Sequence, residues 1–397
     1  MGQAYTLEEI KKIMQDIAKE EMAPLRESHS VFAKLLADSQ KREEDKGIEK
    51  GTRFARTIKS VLASRSWGVS PAESAKRIYP EDKILEAAVT KALGESTGAA
   101  GGFLVPVEFA REIIELLYDK TVVRKAGARV VPMQTNTLNV PRLAGGATAS
   151  YIGENVNITS SQQNLEQVQL SAKKLAVLVP VSNDLIRDSS PAADRIVRDD
   201  IVAKMATTED VNFIRGTGTS YSPKGIASWM QSGNRSTVTA GASPALSAVI
   251  GSLKTALVAV KNARKDQLVN PGWIFSVRTE LFLRTLLNAN GFFVFKDEMD
   301  RGRLLGYPYY VTTAIPENLT VTSTDSSEIY FVEFSDALIG ENLNMEIAVS
   351  QEAAYFDGTS VVAAFAQDQT VVRAIARHDF ALRHNGSAAL LEGVEWA

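Results

Sequence analysis

The stretch ASYIGENVNITSSQQNLEQVQLSAKKLAVLVPVS, residues 149–182, changes its apolar phase halfway along. On the way in, Leu138, Val140, Ala147, Ala149 and Tyr151 alternate with polar residues, and on the return Val168, Leu170 and Ala172 share one face, the period-two pattern of paired strands. At Lys173-Lys174 the parity flips to Leu175, Val177, Val179 and Val181, with Ala176 and Leu178 between them. A half-apolar arm therefore runs into a strand predicted to be buried on both sides, as where a projecting hairpin re-enters a core. The tip, roughly residues 153–163, carries Glu154 as its one charge. Isolated two-stranded ribbons are marginal in water. The loop is expected to lean on a neighbouring subunit through Tyr151, Glu154, Asn155, Asn157 and Gln163. Folding back over its own domain is the competing reading.

Behind the hairpin lies a helix with clear punctuation. Ser190 reads as N-cap, Pro191 as its first residue, Asp194 as a first-turn acid and Gly216 as the stop. Val197, Ile201, Met205 and Thr208 mark one stripe of this spine, residues 191–215. Further on, Ser243-Pro244 opens a helix with Leu246, Ile250, Leu253, Leu257 and Val260 on its face. Strands are expected over 273–277, 307–313, 329–334, 345–350 and 371–382, and a helix over 279–287. The alternation of strands and helices after the spine reads as an α/β unit.

Ahead of the hairpin the composition shifts. Of the first 96 residues 33 are charged, against 58 of the remaining 301. Leu7, Ile10, Ile13 and Ile17, then Phe54, Ile58, Val61 and Leu62, then Ile84, Leu85 and Ala88 after Pro80, are spaced as helices. The run GESTGAAGG, residues 94–102, is too small-chained to pack and is a natural place for a protease to cut. Residues 107–118 read as a short amphipathic helix.

The formal net charge of -3, from 44 Lys+Arg and 47 Asp+Glu, argues against a protein that holds nucleic acid by its phosphates. With no cysteine, disulfides and thiolate metal sites are excluded. The charged N-terminus lacks the apolar core of a secretory signal, and the longest uninterrupted apolar runs fall short of a membrane span, so no membrane partner is expected.

Enzyme signatures are missing. Gly216-Thr-Gly218 ends a helix instead of opening one, and Tyr221 stands where a dinucleotide loop needs its third glycine. No phosphate-binding G-x-x-x-x-G-K-[ST] occurs, and the single G-x-S-x-G, Gly94-Glu-Ser-Thr-Gly98, sits in the small-residue run and not in a strand-to-helix elbow. Of the three histidines, His378 and His384 would lie about 20 Å apart along a strand, too far to share a metal. No catalytic residue, metal or cofactor is expected.

The order of parts resembles the tailed-bacteriophage major capsid family, whose fold is named after the Hong Kong 97 coliphage. The matching residues are Tyr151-Ile-Gly-Glu154, Leu175-Ala-Val-Leu-Val-Pro-Val-Ser182, Leu185-Ile-Arg-Asp-Ser189 and Gly216-Thr-Gly-Thr-Ser-Tyr-Ser-Pro-Lys-Gly225-Ile226. Leu305-Gly-Tyr-Pro-Tyr-Tyr-Val-Thr-Thr313 resembles the family's L-G-x-P-V strand. Ile329-Tyr-Phe-Val-Glu-Phe-Ser335 resembles its Y-x-G-D-F-S strand, with Val332 and Glu333 where Gly and Asp are usual.

The resemblance implies an α+β capsid fold. Its parts would be a helical leader (1–96), an N-terminal arm (97–125), a peripheral domain (126–225 and 344–384) and an axial domain (226–343 and 385–397). The peripheral domain would include the extended loop (138–179) and the spine helix. It further implies assembly as pentamers and hexamers into a head enclosing double-stranded DNA. The leader would act as built-in scaffold, and the partners would be a portal protein, a head-maturation protease and decoration proteins. An encapsulin-type shell around a cargo enzyme is the alternative on the same fold. Some family members cross-link through a loop lysine. Residues 143–172 contain none, so no such cross-link is expected here.

Overall fold

A computed structural model of the chain describes residues 51–95, 102–104, 116–117, 120–145, 151, 164–184, 191–239, 241–265, 268–321 and 325–396. The strands, numbered along the chain, are β1 (Gly102–Leu104), β2 (Arg129–Pro132), β3 (Thr137–Gly145), β4 (Asn164–Ser171), β5 (Lys173–Ser182) and β6 (Arg235–Thr237). After them come β7 (Pro271–Phe275), β8 (Arg303–Leu304), β9 (Tyr307–Val311), β10 (Ser327–Glu333) and β11 (Ala337–Ser350). The last are β12 (Ala354–Phe356), β13 (Val361–Ala363), β14 (Gln369–Leu382) and β15 (Ala388–Val394).

The predicted hairpin exists as β3–β4, paired antiparallel from Thr137↔Ser171 to Gly145↔Asn164. One residue later the chain changes partner, and β5 pairs with β14 from Lys173↔His378 to Ser182↔Gln369. That exchange is the phase flip. β5 is not buried on both sides as expected: it is the edge of a five-stranded sheet in the order β1-β11-β14-β5, with β2 parallel on β11, and only one of its faces is covered. Leu175, Val177, Val179 and Val181 pack inward, whereas Leu178, on the other face, is 46% exposed.

A second sheet, ordered β6-β15-β10-β7-β9-β8, forms the α/β unit. Its central strand β10 is buried on both faces. Ile329 and Phe331 face a core with Trp273, Phe275, Leu391 and Trp396. Tyr330 and Val332 face a seam with Phe213 and Ile214 of the spine and Phe380 and Leu382 of β14. The helix Leu246–Ala263 covers the first of these faces through Val249, Leu253, Ala256 and Val260. By length and composition this helix could cross a membrane, although no uninterrupted apolar run in it reaches that length. Its stripe is packed on the sheet, as in a core helix of a globular body.

The spine is a single helix, Pro191–Arg215. It ends before Gly216, where only glycine fits: a side chain there would meet the carbonyl oxygens of Asn212 and Pro223 at 2.4 Å. The glycine-rich turn folds back through a Thr217↔Lys224 bridge, and the Gly225 N–H donates to the Gly216 carbonyl at 2.9 Å.

Upstream, three helices are present where two were expected: Thr52–Trp67, Pro71–Ile78 and Lys83–Glu95. The middle one is capped by Ser70, whose side chain accepts from the Glu73 N–H, a signal that Ser70-Pro71-x-Glu73 carried in plain view. The third is capped by Asp82, not by the Pro80 turn; Asp82 accepts from the Leu85 N–H at 3.2 Å. Phe54, Ile58, Leu85 and Val89 share one core with Ile201 and Met205 of the spine, Val181 of β5 and Val372 and Ala374 of β14. The expected leader helix around residues 7–17, residues 96–101 of the expected linker and most of the arm helix lie outside the described residues, whereas Gly94 and Glu95, expected in the linker, end the third helix.

Candidate functional site: the projecting hairpin and the junction behind it

Three anchors hold the base of the hairpin. Val168 and Leu170 are buried with Met133, Leu338 and Ala381. Gly340 admits them, since a side chain there would come within 3.2 Å of Leu170 and 2.5 Å of the Met133 sulfur. The Ser171 N–H donates to Asp379 at 2.6 Å just where the chain changes partner. Burial raises the pKa of that carboxyl, partly offset by this hydrogen bond and that of Phe380. Arg142 donates to Glu166 across the ribbon and to the Asn385 side chain at 3.0 Å. Of the expected contact residues, Tyr151 is fully exposed. Glu154, Asn155, Asn157 and Gln163 lie outside the described residues.

On the spine, Ile201 and Met205 are buried as expected. The Val197 side chain, with the Ser190 cap and Asp194, lies outside the description. Thr208 does not continue the stripe; it is exposed, and its hydroxyl donates back to the Lys204 carbonyl. Buried carboxylates, Glu209 and Asp210, take the next turn. Glu209 follows Ile201 and Met205 at four-residue steps, a spacing that could have revealed it.

Arg124, 2% exposed in the short helix Val122–Lys125, is the counter-charge. Its Nε donates to Glu209 at 2.5 Å, and its two terminal nitrogens donate to Glu341 of β11 at 3.1 and 3.4 Å. Burial alone would lower the pKa of the guanidinium, but the two carboxylates more than offset this, so it is raised and the charge is kept. One buried cation thereby joins the arm, the spine and the five-stranded sheet. His378 sits beside it edge-on to Phe213, with centroids 5.1 Å apart, its pKa lowered by burial.

Asp210 completes the junction. Its carboxylate accepts from the Val122 N–H at 3.0 Å and the Val123 N–H at 3.4 Å. It lies against a cavity of about 360 Å³ bordered by Thr207, Val277 and Thr312. Burial pushes its pKa up to about 6, Glu209 adds to the shift, and the two N–H groups and Arg124 oppose it. An unfolded aspartate titrates near 3.8, so the folded state holds the proton more tightly. Stability is therefore gained as the pH falls from about 6 towards 3.8 and is lost again as it rises through 6, by up to roughly 3 kcal/mol. Asp210→Asn should flatten that slope. Thermal unfolding between pH 4.5 and 8 checks it, with the variant gaining on the parent only at the upper end; parallel profiles would refute it.

Two further carboxylates secure the seam to the α/β unit. Fully buried Glu333 accepts from the Val269 and Asn270 N–H groups at 3.0 and 2.8 Å and from the Ser335 hydroxyl at 2.6 Å. Glu333 stands where the resemblance expected Asp, and it acts as a loop anchor. Asp336 accepts from His384 Nδ1 at 3.0 Å and from the Ser387 hydroxyl on the same oxygen. The serine points its proton at the carboxylate and not at the imidazole, so the three fix a turn without activating a nucleophile. Among the described residues, no group of His, Asp or Glu could hold a metal ion.

Comparison with known proteins agrees with this architecture. Residues 101–393 match the Phage capsid family. The major capsid protein of Klebsiella oxytoca phage phiKO2 is 35% identical over 345 residues, which cover 87% of this chain and 79% of that one. The capsid polyprotein of Pseudomonas phage PAJU2 is 26% identical over 88% of this chain, which spans 55% of its length. Among solved structures, the capsid chain of a native GTA particle superposes with a TM-score of 0.52 at 18% identity, over 68% of this chain and 89% of that one. A chain of Mycobacterium phage Bobi does so with 0.52 at 20% identity, over 68% and 90%. A sheet pair joined by a long spine, a hairpin anchored on the first sheet and sequence similarity over most of the chain lead to one conclusion: the chain belongs to the phage capsid family, with the Hong Kong 97-type fold, and is a component of the virion shell.

Proposed function

We propose that this chain is the repeating subunit that assembles as pentamers and hexamers into the icosahedral head of a tailed phage, around double-stranded DNA. The observation that carries the reading is a hairpin anchored by Asp379, Leu170 and Arg142 and followed by a fully exposed Tyr151. Such a ribbon gains stability from a neighbour, and closed shells repeat one such contact many times. Tyr151, Glu154, Asn155, Asn157 and Gln163 are the proposed contact residues. Val197, Ile201 and Met205 belong to the spine that stiffens the peripheral part.

In this reading residues 97–125 are the arm, and 126–225 with 344–384 form the peripheral domain. Residues 226–343 with 385–397 form the axial domain. Residues 1–96 act as scaffold before a head-maturation protease removes them. A portal protein and decoration proteins complete the head. The near-neutral charge suits a wall that encloses DNA without trapping it. No observation favours the encapsulin-type alternative over this reading.

Negative-stain microscopy of the expressed full chain tests the proposal. Closed shells of uniform diameter are expected, and small monodisperse particles would overturn it. Mature heads should run as monomers on a denaturing gel, because residues 143–172 offer no lysine for a covalent bond. Ladders of high-mass species would contradict that.

A further inference from the structure

Asparagine followed by glycine is a reactive pair, because glycine, lacking a Cβ, leaves its main-chain nitrogen unscreened beside the asparagine side-chain carbonyl. The chain contains two such pairs, Asn290-Gly291 and Asn385-Gly386. The fold treats them in opposite ways.

Asn290-Gly291 lies in the loop after the helix Val277–Thr285. The Leu287↔Phe293 bridge closes this loop, and the Asn288 side chain ties it by accepting from the Asn290 N–H at 2.9 Å and the Phe292 N–H at 3.0 Å. The Gly291 N–H donates to the Asn288 carbonyl at 3.0 Å. These bonds shape the backbone and leave the exposed Asn290 amide without a hydrogen bond among the described residues. Gly291 has a φ of +77°, and no atom lies within 4 Å of where its side chain would begin.

Asn385-Gly386 is held from several directions. Asn385 Oδ1 accepts from Arg142 at 3.0 Å, and the Asn385 carbonyl accepts from the Gln231 N–H at 3.0 Å. The Gly386 carbonyl accepts from the Asn234 side chain at 3.3 Å. A side chain at Gly386 would come within 2.6 Å of the Ala263 Cβ. Ser387, the next residue, is fully buried and donates to Asp336.

We propose that Asn290 is a site of spontaneous deamidation and that the fold protects Asn385 from the same reaction. The Gly291 nitrogen loses its proton and attacks the Asn290 Cγ. A Cγ–N bond forms, the Cγ–Nδ2 bond breaks, and ammonia leaves with the proton, which gives a cyclic succinimide. Water then opens the ring at either carbonyl, to aspartate or to isoaspartate with its longer main chain. The empty space around Gly291 accommodates both the ring and the longer chain. Ring closure at Asn385 would first have to break the bond to Arg142, in a turn packed against Ala263. Each event at Asn290 makes the formal net charge of -3 one unit more negative. The new carboxylate stands beside Leu287, Phe292 and Phe293, all exposed, so an apolar patch acquires a charge as the protein ages.

The test incubates the freshly purified full chain near pH 8, natively and in denaturant, and follows the tryptic peptides 285–296 and 384–397 by mass spectrometry. A gain of about one dalton, located by fragmentation, marks the reaction, and isoaspartate is assayed separately. In the native chain Asn290 should convert at least about ten times faster than Asn385, because a held turn must open before it reacts. In denaturant the two should convert at similar rates. Equal native rates, no conversion at Asn290, or a difference that persists in denaturant would overturn the proposal. Conversion of Asn290 should accelerate as the pH rises, since the attacking nitrogen must lose its proton, and a flat profile would count against the succinimide route. Arg142→Ala should speed the reaction at Asn385 alone; an unchanged rate there would refute the protection assigned to that bond.

Discussion

Replacement of Arg124 by alanine is expected to cost about 3 to 5 kcal/mol, the usual penalty for breaking a buried ion pair. Domains of this kind hold only about 5–15 kcal/mol in total. The guanidinium is the shared counter-charge of Glu209 and Glu341, and its loss leaves two carboxylates facing each other in a dry junction. Arg124→Lys should recover little, because a point charge cannot reproduce the fork onto Glu341 together with the bond to Glu209. Removal of all three charges, as Arg124→Met with Glu209→Gln and Glu341→Gln, should restore much of the loss. Denaturant titration of the soluble subunit measures each step. A single variant within about 1 kcal/mol of the parent would mean the triad is not the tie it is taken for here.

The second large effect is local. Asp82→Ala removes a helix cap, worth about 1 kcal/mol, and the buried carboxylate against which Arg53 and Arg56 are set, worth about 3 more. Residues 52–95 should then open while the α/β unit, whose core of Trp273, Phe331 and Leu391 is separate, stays folded. Hydrogen exchange resolves the two: loss of protection confined to 52–95 is expected. Either no loss there or collapse of β10 and β15 as well would refute the assignment.

Much of the architecture was legible in the residues because it rests on local rules. The hairpin and its change of phase at Lys173 follow from period-two alternation, and the spine from Pro191 at one end and the crowded Gly216 at the other. The face of the helix Leu246–Ala263 follows from period-3.6 spacing. The misreadings share one cause. Spacing gave no place to Arg53 and Arg56, and both are buried on a carboxylate 26 to 29 residues away. β5 looked doubly buried from its Ala and Leu residues, but whether a strand lies in the middle or at the edge of a sheet depends on who pairs with it.

The sequence by itself determined the hairpin, the spine and the family, since each is written in spacing, caps and motifs within a few tens of residues. Only the tertiary structure decided where the charges go. Arg124 meets Glu209 and Glu341 across 85 and 217 positions, and the helices after Thr52 close over the spine. Pairings of that range leave no periodic trace in the chain; they are selected by the desolvation penalty of a buried charge, which exists only once the core has formed around it.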